Sequence, residues 1–190
     1  MGDDVRFRLD DDLLERIRSR AAGYDAANAF PGEDLAELRD AGYLRAGVPA
    51  ELGGHGLSLR ELAAEQRRLA AAAPATALAI NMHLVWTSVA VVLRERGDDA
   101  LDWLLREAAA GEVFAFGISE AGNDLVLFDS GTTAEPQPDG GYRFTGRKVF
   151  TSLAPAWSRL GTFGRDDSSA DAPKLVYGFV ELGPGVVTFD

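Results

Sequence analysis

The feature that most constrains this chain is a change of pattern near residue 112. Before it, apolar residues recur at the three-and-four spacing of amphipathic helices. After it they fall in short strand-like runs bounded by Gly, Pro, Asn and Asp clusters such as Pro138-Asp139-Gly140-Gly141. Helices followed by strands, rather than alternating with them, pack as two segregated units. The expected division is therefore 1–112, helical, and 113–190, built of strands.

Local signals sharpen the helical part. Asp10 to Asp12 can cap a helix with Leu13, Leu14, Ile17 and Ala21 on one face. A second helix fits Glu33 to Ala41, with Leu35 and Leu38 inward and Gly42 as its stop. Ser58-Leu59-Arg60-Glu61 reads as a capping box, in which serine and glutamate each satisfy an orphan amide of the first turn; its helix should run to about Ala73. Pro74 suits the first turn of the next helix, where a missing amide hydrogen costs nothing. Gly97-Asp98 should close that helix and cap a last one bearing Leu101, Leu104, Leu105 and Ala108. Leu69 to Leu93 lacks Asp, Glu, Lys and Arg. That is long enough to cross a membrane, but Pro74, Thr76, Asn81, His83, Thr87 and Ser88 interrupt it. A buried core helix is expected, with no membrane contact.

Strands are expected in five runs: Val113 to Phe116, Tyr142 to Phe144, Lys148 to Thr151, Leu175 to Val180, and Val186 to Phe189. A net charge of -11 excludes nonspecific nucleic-acid binding, which needs a basic footprint. The absence of cysteine excludes disulfides, zinc-thiolate sites and thiol nucleophiles. His55 and His83 lack metal-ligand spacing, so no metal site is expected; His83 reads as a satisfied core histidine and His55 as an exposed loop residue. The acidic N-terminus carries no secretory signal, which makes the cytoplasm the expected location.

Two segments carry residues suited to a ligand. In Phe116-Gly117-Ile118-Ser119-Glu120-Ala121-Gly122-Asn123-Asp124 a strand runs into small polar residues, and Gly122 lets backbone approach a ligand closely. Ser119, Asn123 and nearby amides can donate hydrogen bonds to a heterocycle or phosphate. The same residues also fit a turn that only reverses the chain. Ser119 does not read as a hydrolase nucleophile, because both histidines precede it where that fold requires one to follow. In Gly146-Arg147-Lys148-Val149-Phe150-Thr151-Ser152 a hydroxyl beside an aromatic can meet the edge of a ring, or can simply end a strand.

In this order, with Val48-Pro49-Ala50-Glu51-Leu52-Gly53-Gly54-His55-Gly56 between the opening helices, these segments resemble the acyl-CoA dehydrogenase family. The loop is similar to its Pro-Glu-x-x-Gly-Gly-x-Gly pattern with one residue inserted. Phe116 to Asp124 resembles its Thr-Glu-Pro-x-Ala-Gly-Ser-Asp flavin motif shortened by two residues. Gly146 to Ser152 resembles Gly-x-Lys-x-Trp-Ile-Thr-Asn, one residue shorter and without the tryptophan. The resemblance implies an α+β chain, an N-terminal all-α helical domain followed by an incomplete antiparallel β-barrel-like domain, with the family's C-terminal helical domain absent. It implies FAD as cofactor, held by Phe116, Ile118, Ser119, Gly122, Asn123, Phe150 and Thr151.

The implied chemistry is acyl-CoA oxidation, with α-proton abstraction and β-hydride transfer to flavin. The family's base is a glutamate beyond this chain, so no catalytic residue is assigned, and the chain alone should be inactive. A homo-oligomer or a complementary C-terminal chain is the expected partner. The same fold also hosts two-component flavin monooxygenases, which would take FMN, and a non-catalytic or split subunit is a third reading.

Overall fold

The computed structural model describes residues 7–122, 124, 127–169, 173–183 and 185–187. They form two compact units, divided between Val113 and Phe114. The first contains α1 (Asp11–Ala27), α2 (Gly32–Asp40), α3 (Leu59–Ala72), α4 (Pro74–Glu95) and α5 (Asp102–Ala110), with two short 3-10 turns between α2 and α3. Each helix begins where local chemistry allows it. The Asp10 carboxylate accepts from Asp12 N and Leu13 N at 2.8 and 3.2 Å. Ser58 and Glu61 exchange both bonds of the capping box. Pro74 occupies the first turn of α4. α5 opens later than expected: Leu101, not Asp98, is its N-cap.

Leu13, Leu14 and Ile17 are buried, as are Leu35, Leu38 and Leu69, whereas Ala21 is only half-buried. Among the described residues α4 is the one helix long and apolar enough to span a membrane. Here it packs against α2, α3 and α5 and buries Thr76, His83 and Thr87. Each of these polar groups is satisfied, as burial demands. Thr76 Oγ1 donates to Asp34, His83 Nε2 donates to the Leu44 carbonyl at 2.8 Å, and Thr87 Oγ1 donates back to Leu84 O. His55 is exposed, its ring stacked on Phe7.

The glycine loop is dictated by crowding. Gly56 N donates to Val48 O at 2.8 Å, and Gly54 N donates to Pro49 O at 3.1 Å. A Cβ on Gly54 would run into the Val48 carbonyl. Gly54→Ala is expected to destabilise the helical unit by about 1–3 kcal/mol, the usual range for overpacking. A urea titration followed by α-helical circular dichroism would read it, and an unchanged midpoint would contradict the close approach.

The second unit is an open mixed sheet of five strands: β1 (Phe114–Gly117), β2 (Thr133–Pro136), β3 (Tyr142–Thr145), β4 (Arg159–Asp166) and β5 (Lys174–Glu181). It confirms the α+β class. The pairing is mixed rather than purely antiparallel: β4 runs parallel to β1 and β2 and antiparallel to β5, while β2 and β3 are antiparallel. β5 covers one whole edge of β4, so β1 and β2 share the other, at Arg159–Thr162 and at Arg165 respectively.

The expected strand over Lys148 to Thr151 is absent. Phe150 sits at φ +56° and Leu153 at +69°, left-handed conformations that cannot continue a ladder. Val186 lies in a turn, and Thr188 and Phe189 fall outside the described residues. The central strand, β4, had no counterpart among the runs read from sequence.

Candidate functional site

Because β1 and β2 share one edge of β4, a gap opens between them, and side chains close it. Glu120 follows the end of β1, and its carboxylate binds the segment that leads into β2. Oε1 accepts from Ser130 Oγ (2.8 Å), Thr132 N (3.0 Å) and Thr132 Oγ1 (2.7 Å), and Oε2 accepts from Gly131 N (2.7 Å). Lys148 Nζ, from the loop after β3, reaches Oε1 at 2.7 Å. The two side chains are 7% and 10% exposed, so this is a buried ion pair, and both carboxylate oxygens accept hydrogen bonds. Burial pushes the Lys148 ammonium below the usual lysine range, and the bond to Glu120 opposes that shift. The ammonium also lies 4.3 Å from the centre of the Phe163 ring.

The same arrangement brings the two sequence segments side by side. Val149 N donates to Ser119 O at 2.8 Å. The Thr151 hydroxyl lies 3.4 Å from where a Gly117 Cβ would stand, and Thr162 Oγ1 donates to Gly117 O at 2.7 Å. Over the loop and the sheet opens a cavity of about 1030 Å³. Its apolar wall includes Phe144, Trp157, Leu160 and Val180, and its polar wall includes Lys148, Thr151 and Thr162.

Of the residues singled out in the sequence, Phe150 and Thr151 line this cavity, Phe150 with 89% of its surface exposed. Ser119 is half-buried on the adjoining segment and contributes its carbonyl to the junction, but is not in the cavity wall. Phe116 is half-buried, Ile118 is buried in the interior, and Gly122 is exposed at φ +77°. Asn123 lies outside the described residues. Sequence reasoning missed Lys148, Trp157 and Leu160. A signal existed for the first: an acid inside one small-residue motif and a lysine heading an apolar run are natural partners for a buried pair.

The family model for the acyl-CoA dehydrogenase N-terminal domain matches residues 6–112. The chain belongs to the acyl-CoA dehydrogenase family. Family members are flavin-dependent. Benzylmalonyl-CoA dehydrogenase of Aromatoleum aromaticum is 32% identical over 177 residues, covering 90% of this chain and 45% of that enzyme. L-Evernosamine nitrososynthase of a Micromonospora species is 33% identical over 148 residues, covering 75% and 34%. Among solved structures, KijD3 in complex with FMN and a dTDP-amino-keto sugar is 33% identical with a TM-score of 0.77, covering 90% and 42%. The chain thus spans less than half the length of these relatives.

Proposed function

We propose that the β unit seats the ring system of a flavin and that the protein acts as a flavin-dependent oxidoreductase. The observation that carries this reading is the cavity that joins Phe150 and Thr151 to an apolar wall, in a chain 33% identical to a protein solved with FMN. An isoalloxazine is flat, apolar on its faces and polar along its edge. A cavity of about 1030 Å³ with Trp157, Leu160 and Val180 on one side and hydroxyls on another fits that chemistry. Thr151 would bond the polar edge and Phe150 would lie against the ring. Phe116, Ile118, Ser119, Gly122 and Asn123 would contribute through the neighbouring segment, chiefly by backbone. When bound, the flavin supplies the capacity to accept or pass on an electron pair. The residues of this chain orient it and keep water from one side of it.

Oxygen use with reduced FMN is the first reading of the reaction. Two things support it: the likeness to L-evernosamine nitrososynthase and to the dibenzothiophene monooxygenase of Rhodococcus qingshengii, 30% identical over 158 residues, and the departure of residues 148–151 from the unbroken strand of the dehydrogenase pattern. Dehydrogenation of an acyl-CoA thioester is the second, supported by the likeness to benzylmalonyl-CoA dehydrogenase. The other wall of the site would come from a partner, either a second copy or a complementary chain.

Titration with FMN and FAD tests the seat. Quenched flavin fluorescence and a perturbed visible band are expected, and their absence with both flavins would reject it. Oxygen-dependent oxidation of an amine or organosulfur substrate with reduced flavin, set against anaerobic oxidation of acyl-CoA, separates the two reactions.

A further inference from the structure

The loop after β3 is strained at two positions, and one of them is exposed. Phe150 and Leu153 both take positive φ values, a conformation that ordinary residues avoid. Phe150 is also 89% exposed, the reverse of what a large aromatic gains from folding. Such a conformation persists only where the surroundings impose it. Among the described residues, the backbone amides of Ser152 and Ala154 donate locally, to Phe150 O and Thr151 O, whereas Val149 N donates to Ser119 O at 2.8 Å. The residue before Val149 is the one fixed by a buried ion pair.

We infer that Lys148 is a positioning residue. Anchored on Glu120, it holds residues 149–151 against the Ser119 segment so that the Phe150 ring and the Thr151 hydroxyl are presented to the cavity. The inference rests on the flavin reading for its ligand, but its geometry does not. Glu120 is already bound by Ser130, Gly131 and Thr132, so it is a fixed post. The lysine stem spans from that post to the loop, and the Phe163 ring beneath the ammonium restricts it further. Arginine can keep the charge and the reach, whereas methionine keeps the stem and loses the anchor.

The experiment compares the wild-type 190-residue chain with Lys148→Met and Lys148→Arg, by amide hydrogen exchange without flavin and by FMN titration. In Lys148→Met the Val149 amide should exchange faster and FMN should bind about tenfold more weakly, the size of one charge-assisted hydrogen bond. The bound-flavin visible band should also shift, and Lys148→Arg should recover most of both effects. Unchanged Val149 exchange would overturn the inference. Faster exchange with unchanged FMN affinity and spectrum would overturn it too, leaving Lys148 a structural residue only. If the wild type binds no flavin, the flavin reading fails instead, and the exchange comparison alone decides whether Lys148 anchors the loop. Should Lys148→Met leave the β unit unfolded, the double variant Glu120→Gln/Lys148→Met, which buries no charge, carries the same comparison.

Discussion

Glu120→Ala is expected to destabilise the β unit by about 3–5 kcal/mol, the cost of leaving a buried charge without its partner. The variant strips from the Lys148 ammonium, which is 10% exposed, the carboxylate it is paired with, and takes a shared acceptor from the Gly131 and Thr132 amides. Those amides lead into β2, which meets β4 at Arg165. Protection should therefore fall first in β2 and β3, while amides of the helical unit keep theirs. The neutral pair Glu120→Gln/Lys148→Met should recover much of the loss, because it removes the stranded charge along with the ion pair. Urea unfolding followed by residue-resolved hydrogen exchange reads both. A loss no larger for the alanine variant than for the neutral pair would show that burial of the charge is not what matters. The same geometry gives this glutamate a structural role, with Oε1 accepting from Ser130, Thr132 and Lys148 and Oε2 from Gly131.

The second large effect is acid sensitivity of the helical unit through His83. The ring is completely buried, and burial pushes its pKa down to about 4 from 6.5, although the bond to Leu44 O works against the shift. The folded state therefore keeps the ring neutral where the unfolded chain protonates it. Stability is complete above pH 6.5 and is lost progressively as the pH falls toward 4, by a total on the order of 3 kcal/mol. Carboxylates add their own losses below that window, so the wild type must be compared with His83→Gln. Glutamine can still donate to Leu44 O but takes up no proton. The variant should show a distinctly flatter dependence between pH 6.5 and 4.5. Parallel curves for the two proteins would remove His83 from the account.

The helical unit was legible because its signals are local. Asp10, the Ser58–Glu61 box and Pro74 act on amides within one turn, so neighbouring residues suffice to mark each helix start. Where the signal was weak the reading slipped, as at α5, whose N-cap Leu101 makes no side-chain cap. The sheet was harder. β4 reads Arg-Leu-Gly-Thr-Phe-Gly-Arg-Asp, with two glycines and charged ends, and nothing in that run declares a central strand. It is one because β1, β2 and β5 all pair with it, and a Cβ at Gly164 would press on the Thr132 carbonyl and the Ala134 amide. The opposite error occurred at Lys148-Val149-Phe150-Thr151, where β propensity is high but the buried lysine and the positive φ at Phe150 turn the chain out of any ladder.

By itself, then, the sequence determined the α+β class, the family and the capped starts of α1, α3 and α4, since these follow from periodicity, caps and motif order within short stretches of chain. Only the tertiary structure decided which strand is central, that the sheet is mixed, and that Glu120 and Lys148 meet across 28 residues to set Thr151 beside Gly117. The reason is physical: strand pairing and buried ion pairs join residues far apart in the chain, and their free energy depends on burial that exists only once the unit has closed.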